Sequence, residues 1–116
     1  MIDAHWIRLC AVADVPPGSV RGFVIDEAPR PVLVANLGGR FVATSSVCPH
    51  GRQSLLSGYL AGTRIMCPGH AFEFDLDTGA CIEDQTLQLS RYRLSVADGN
   101  VFVARDPANA MGLLAT

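Results

Sequence analysis

Short apolar runs and turn formers alternate along this chain. Val20 to Ile25, Val32 to Leu37 and Arg40 to Thr44 are rich in Val, Ile and Phe, and Pro16-Pro17-Gly18, Glu27-Ala28-Pro29 and Gly38-Gly39 separate them. β-Branched and aromatic residues suit a pleated, half-buried surface, so these blocks predict antiparallel strands. Gly38-Gly39 predicts a two-residue hairpin, because both central positions of the favoured turn need positive φ. Further strands are predicted at Ile7 to Cys10, Arg64 to Met66, Ala71 to Phe74, Tyr92 to Val96 and Asn100 to Ala104, with Asp98-Gly99 turning the last hairpin. No segment sustains a helical period over three turns, so the predicted class is all-β.

Within this pattern, Ser45 to Cys81 reads differently. It gathers Gly51, Gly58, Gly62, Gly69 and Gly79 together with two Cys/His pairs, and predicts a metal-binding lobe inserted in a β base. After Asp106-Pro107 comes an uncharged tail, 108–116, with Met111, Leu113 and Leu114, which reads as a frayed terminus or, alternatively, as a segment that packs on the domain or on another subunit. A chain of 116 residues that is 49% hydrophobic implies one domain with a modest core. Nine Lys and Arg against eleven Asp and Glu give a net charge of -2, which argues against a polyanionic partner. No secretory leader and no long apolar span is evident, so a soluble cytoplasmic protein is expected.

The candidate chemistry lies in Cys48-Pro49-His50 and Cys67-Pro68-Gly69-His70. In a reducing compartment, thiols beside histidines read as metal ligands rather than disulfides. Two sulfur and two nitrogen donors suit a tetrahedral zinc ion. Against zinc, each pair mixes donor types, whereas the usual finger keeps its cysteines together and its histidines together. Sorting the donors by atom suits a 2Fe-2S centre, with Cys48 and Cys67 on one iron and His50 and His70 on the other.

Cys48-Pro49-His50-Gly51, then Leu56-Ser57-Gly58-Tyr59-Leu60, then Ile65-Met66-Cys67-Pro68-Gly69-His70, closing with Phe74-Asp75 and Asp77-Thr78-Gly79, resembles the Rieske ferredoxins. These are the small electron carriers of bacterial aromatic-ring dioxygenase systems. The resemblance implies an antiparallel β-sandwich base carrying a cluster-binding lobe, a single Rieske domain over residues 1–107 with its lobe at about 45–81, and one 2Fe-2S cluster. Pro49, Gly51, Pro68, Gly69 and Phe72 would form the shell of that cluster. Ala71 departs from the glycine common after the second histidine, and Gly69 from a bulkier residue; both bear on loop shape, and neither is a ligand.

The resemblance also bears on potential. High-potential Rieske proteins add a disulfide between the loops and hydroxyl donors to the cluster sulfurs, at positions that correspond here to Gln53, Gly69, Phe72 and Phe74. None of these can do so, which implies the low end of the Rieske range, around -150 mV. The implied role is a shuttle of single electrons from a flavin- and NAD(P)H-dependent ferredoxin reductase to a terminal Rieske non-haem iron oxygenase in aromatic hydrocarbon catabolism. The alternative is a small subunit of a larger reductase such as assimilatory nitrite reductase. The chain itself is not expected to be an enzyme: only His5 remains for a mononuclear iron, and no Gly-x-Gly-x-x-Gly opens a βαβ unit.

Docking is expected at the lobe tip, on an apolar rim of Pro49, Gly51, Leu55, Pro68 and Gly69, with Pro49, Leu55 and Gly69 at its centre. Glu73, Asp75, Asp77, Glu83 and Asp84 read either as an acidic steering collar or as an ordinary solvated surface. Cys10 and Cys81 read as small buried hydrophobes, His5 as a surface histidine, Phe72 and Phe74 as core and shield, and Arg52 as exposed.

Overall fold

The computed structural model describes residues 5–49, 53–68 and 72–107. His50, Gly51, Arg52, Gly69, His70, Ala71 and the tail 108–116, on which several expectations fall, lie outside the described residues. The strands are β1 (Trp6–Ala11), β2 (Val20–Phe23), β3 (Val32–Asn36), β4 (Phe41–Ser45), β5 (Tyr59–Ala61), β6 (Arg64–Met66), β7 (Glu73–Asp75), β8 (Arg91–Ala97) and β9 (Asn100–Pro107). Two short 3-10 turns, Val12–Asp14 and Leu55–Ser57, are the helical segments among the described residues. Six strands form one antiparallel sheet in the order β1-β9-β8-β4-β3-β2, and β5-β6-β7 form a second. The second sheet falls entirely between β4 and β8 in the chain.

Both predicted hairpins form as their turn chemistry requires. Gly38 and Gly39 have φ of 72° and 109°, and the Leu37 N–H donates to the Arg40 carbonyl at 2.7 Å. Asp98 and Gly99, at 53° and 75°, turn β8 into β9 in the same way. The bounds differ from expectation where pairing decides them. β2 stops at Phe23 because its ladder with β3 ends at Phe23↔Val32, which leaves Val24 83% exposed and turns Ile25 inward. Beyond its predicted end at Ala104, β9 runs on and pairs Pro107 with Tyr92 of β8. β5 was not among the predicted strands and forms through its ladder with β6, from Tyr59↔Met66 to Ala61↔Arg64.

Strand β3 divides the interior. All five of its residues are buried, and alternate side chains of a strand face opposite ways. Val32 and Val34 join Cys10, Val15, Ile25, Ala43, Val101 and Val103 in one core. Leu33 and Ala35 join Leu55, Ile65, Phe74, Leu76 and Leu89 in the other, beneath the second sheet. Its last residue, Asn36, is polar and buried, and is satisfied by donating to the Val15 carbonyl at 2.8 Å and accepting from the Gly39 N–H at 2.6 Å. That locks the Pro16-Pro17-Gly18 turn to the β3–β4 hairpin.

Among the described residues, three contacts tie the second sheet and the 3-10 turn before it to the first sheet. The shared core beneath it is one, and Leu56 packing over Gly22 of β2 is another. Close approach is also built in at Gly58, where a Cβ would lie 2.3 Å from the Met66 carbonyl oxygen. Its φ of -77° suits any residue, so space alone demands glycine there. Third, Arg40 beside the β3–β4 turn makes a two-pronged ion pair with Asp77 after β7, with Nη2 at 2.9 Å from Oδ2.

Arg40 holds the Asp77 carboxyl below its ordinary range, chiefly by hydrogen bonding. A carboxyl with a depressed folded pKa stabilises the fold above its unfolded pKa, and loses that contribution as pH falls through the folded value. Asp77→Asn should therefore lower the urea midpoint slightly near pH 7, with the gap to wild type closing on acidification below the usual aspartate range. Both side chains are substantially exposed, so the effect is small and screened by salt. A gap that persists at low pH would remove the ion pair as its cause.

Candidate metal centre

Two loops of equal construction carry the cysteines. In the first, the bridge Val47↔Ser54 brackets Cys48 to Gln53, and the Cys48 N–H donates to the Gln53 carbonyl at 2.8 Å. In the second, the pair Met66↔Glu73 brackets Cys67 to Phe72, and the Cys67 N–H donates to the Phe72 carbonyl at 2.7 Å. Each loop thus opens on its cysteine and closes at the fifth residue beyond it. The Ser54 hydroxyl, accepting from the Leu56 N–H at 3.2 Å, then turns the first loop into the 3-10 segment.

This construction sets the thiols inside and the proline after each of them outside. Cys48 and Cys67 are 0% and 1% exposed and lie in one apolar cluster with Leu55, Ile65 and Phe74. Pro49 and Pro68, the next residue in each loop, are exposed. Proline cannot donate a backbone hydrogen bond, so it suits a position where the chain leaves the ladder. No disulfide joins any of the four cysteines. Two thiolates in apolar surroundings would be costly without a countercharge, and metal ligation supplies one. The donors present therefore fit the cysteine-held iron of a 2Fe-2S centre, and Cys48, Cys67, His50 and His70 would hold that cluster. The histidines stand third and fourth in their loops, outside the described residues.

The other expectations divide. Phe72 is partly buried against the same cluster, and its carbonyl closes the second loop. Phe74 is 0% exposed and fills the core. Leu55 is a correction: expected on the docking rim, it is fully buried. As the first residue of a 3-10 turn it points into the cluster, and Leu56 takes the position over β2. Cys10 and Cys81 are each 3% exposed, one in each core. Burial pushes the Cys10 thiol up, which keeps it protonated and unreactive. His5 is exposed, and its carbonyl accepts from the Arg105 N–H at 3.0 Å.

The carboxylates expected as a collar are engaged by neighbouring groups. Glu73 lies 3.9 Å from Arg64, Asp75 accepts from the Asp77 N–H at 2.8 Å, and Asp84 accepts from the Thr86 N–H at 2.9 Å. Glu83 accepts from the Glu73 N–H at 2.9 Å. Among the described residues, no group of three or more His, Cys, Asp or Glu side chains is placed to hold a metal. These carboxylates bind nearby backbone N–H groups and arginines, Asp77 pairing with Arg40 of the base.

Known proteins carry the same organisation. The model of the Rieske [2Fe-2S] domain family matches residues 5–104. Over 100 residues, 85% of this chain and 92% of the relative, the chain is 36% identical to the ferredoxin CarAc of Metapseudomonas resinovorans. It is 39% identical over 99 residues, 84% of this chain and 91% of the relative, to the 3-phenylpropionate/cinnamic acid dioxygenase ferredoxin subunit of Shigella flexneri. Among solved structures, a chain in the complex of reduced oxygenase and oxidised ferredoxin of carbazole 1,9a-dioxygenase superposes with a TM-score of 0.83 at 34% identity, covering 90% of this chain and 97% of that one. A chain assigned as an NADH-dependent nitrite reductase small subunit from Mycobacterium tuberculosis superposes with a TM-score of 0.78 at 25% identity, covering 87% and 95%.

Proposed function

We propose that this chain, which belongs to the Rieske [2Fe-2S] domain family, carries single electrons to a terminal oxygenase, with Cys48 and Cys67 ligating one iron and His50 and His70 the other. The two matched loops, each burying its thiol and sending its proline outward, carry the proposal. The cofactor is one Rieske 2Fe-2S cluster, and the curated relatives are ferredoxin components, electron carriers and not catalysts. When bound, the cluster supplies a one-electron couple. The protein's part is to hold the cysteine side in apolar core, where water is excluded. The exposed Pro49 and Pro68 then offer small contacts for brief docking.

The proposed donor is an NAD(P)H-dependent flavoprotein ferredoxin reductase, and the proposed acceptor is a Rieske non-haem iron oxygenase. A low potential belongs to the same reading: Phe72 and Phe74 stand where hydroxyl donors would raise it, and Gln53 cannot form an inter-loop disulfide. No helix among the described residues is long and apolar enough to cross a membrane. We place the protein in the cytoplasm, where its NAD(P)H-driven partner would work. The reading as a nitrite reductase small subunit has the fold likeness behind it, but the curated relatives at 36% and 39% identity favour the oxygenase system.

The decisive experiment mixes the purified chain with a ferredoxin reductase, NADH and a terminal oxygenase with its substrate. Product should form at a rate that rises with the concentration of this chain and saturates. Absence of any gain across reductase and oxygenase pairs, together with rescue of a nitrite reductase lacking its small subunit, would transfer the assignment to the second reading.

A further inference from the structure

Segment 81–83 runs beside β7 as an incomplete fourth strand of the small sheet. Cys81 bridges Phe74, and the Ile82 N–H donates to the Glu73 carbonyl at 2.9 Å. The next bond of such a ladder would run from the Glu73 N–H to a backbone carbonyl. The Glu83 carboxylate takes that place instead, with Oε1 at 2.9 Å from the Glu73 nitrogen, and the same oxygen lies 3.8 Å from the Cys81 sulfur. Glu73 directly follows Phe72, whose carbonyl closes the second cysteine loop on the Cys67 N–H. A formal negative charge is thereby hydrogen-bonded to the foot of that loop.

We infer that Glu83 is a positioning residue for the cluster: it fixes the second loop and holds the cluster's reduction potential down. The inference rests on the cluster assignment made above. With two thiolates and two neutral imidazoles the oxidised centre is formally neutral, and reduction adds one negative charge. A carboxylate at the foot of the loop disfavours that added charge, and its hydrogen bond to a backbone N–H is of the stronger, charge-assisted kind. The Cys81 thiol, buried and aimed at the same oxygen, helps keep the carboxylate in place. The side chain itself reaches solvent, so salt screens its influence.

Two variants separate charge from architecture. Glu83→Gln keeps an acceptor oxygen and removes the charge, whereas Glu83→Ala removes both. Potentials are read by redox titration of the visible spectrum at low and high ionic strength, and loop integrity by the half-life of cluster absorbance under a chelator. Glu83→Gln should hold its cluster as long as wild type and titrate at a higher potential, with the gap narrowing in high salt. Glu83→Ala should titrate higher too and lose its cluster several times faster. A Glu83→Gln potential equal to wild type at low salt would overturn the inference and leave the electron-carrier reading intact, because that reading is tested by transfer between partners and not by the potential.

Discussion

Cys67→Ser should give a colourless protein, with visible absorbance, iron and acid-labile sulfide lost together. Serine is nearly the size of cysteine, so the buried site at the start of the second loop can accept it. It lacks the soft thiolate that iron-sulfur ligation demands. The same result is expected for Cys48→Ser, whose side chain lies in the same apolar cluster. Cys10→Ser and Cys81→Ser should stay red-brown, because neither residue belongs to a ligand loop. The reduced forms of these two should keep a paramagnetic signal with average g below 2. Metal binding and folding are coupled, so the two colourless variants should also unfold at lower denaturant than wild type. A Cys67→Ser protein that kept its full iron while Cys81→Ser lost it would redraw the ligand set.

Why could the two cysteine loops be read from the sequence when the surface around them could not? The two Cys/His pairs stand out as candidate donors because donor chemistry is local: each pair sits within one short stretch of chain. Gly38-Gly39 and Asp98-Gly99 were legible for the same reason, since positive φ is a property of two adjacent residues. Leu55 was not legible. Whether it faces core or solvent depends on a 3-10 turn set by the Ser54 cap and by the Leu55 N–H bonding back to the Ser46 carbonyl at 2.7 Å. β5 was hidden because strand identity there comes from its partner β6, and its pattern of exposed Tyr59, half-buried Leu60 and exposed Ala61 is too short to show a period. The equal closure of the two loops, by N–H to carbonyl bonds at 2.8 and 2.7 Å, joins backbone groups and leaves no mark on side-chain type.

These features divide the labour. The six-stranded sheet keeps one core to itself, and β3 lends its other face to the lobe. The lobe rests on that shared core, so one residue of the core should dominate its stability.

That residue is Phe74, the largest fully buried side chain among the described residues. It pairs with Ile65 of β6, bridges to Cys81, and packs in the cluster that contains Cys48, Cys67 and, from the base sheet, Leu33 and Ala35. Truncating a core phenylalanine to alanine costs about 3–5 kcal/mol, the lost transfer energy plus a cavity that neighbours only partly fill. Domains of this size hold about 5–15 kcal/mol in total, so Phe74→Ala should lower the thermal midpoint by roughly 15–30 °C. Tyr59→Ala removes an aromatic side chain that is 71% exposed and should shift stability by no more than about 0.5 kcal/mol. Because both cysteine loops rest on the Phe74 cluster, the alanine variant should also shed its iron under a chelator well before wild type does. Denaturant unfolding followed by backbone circular dichroism and by visible absorbance reads both effects in one titration. Equal midpoints for the Phe74 and Tyr59 variants would show that the lobe is held mainly by the cluster itself and by the Arg40–Asp77 and Leu56–Gly22 contacts.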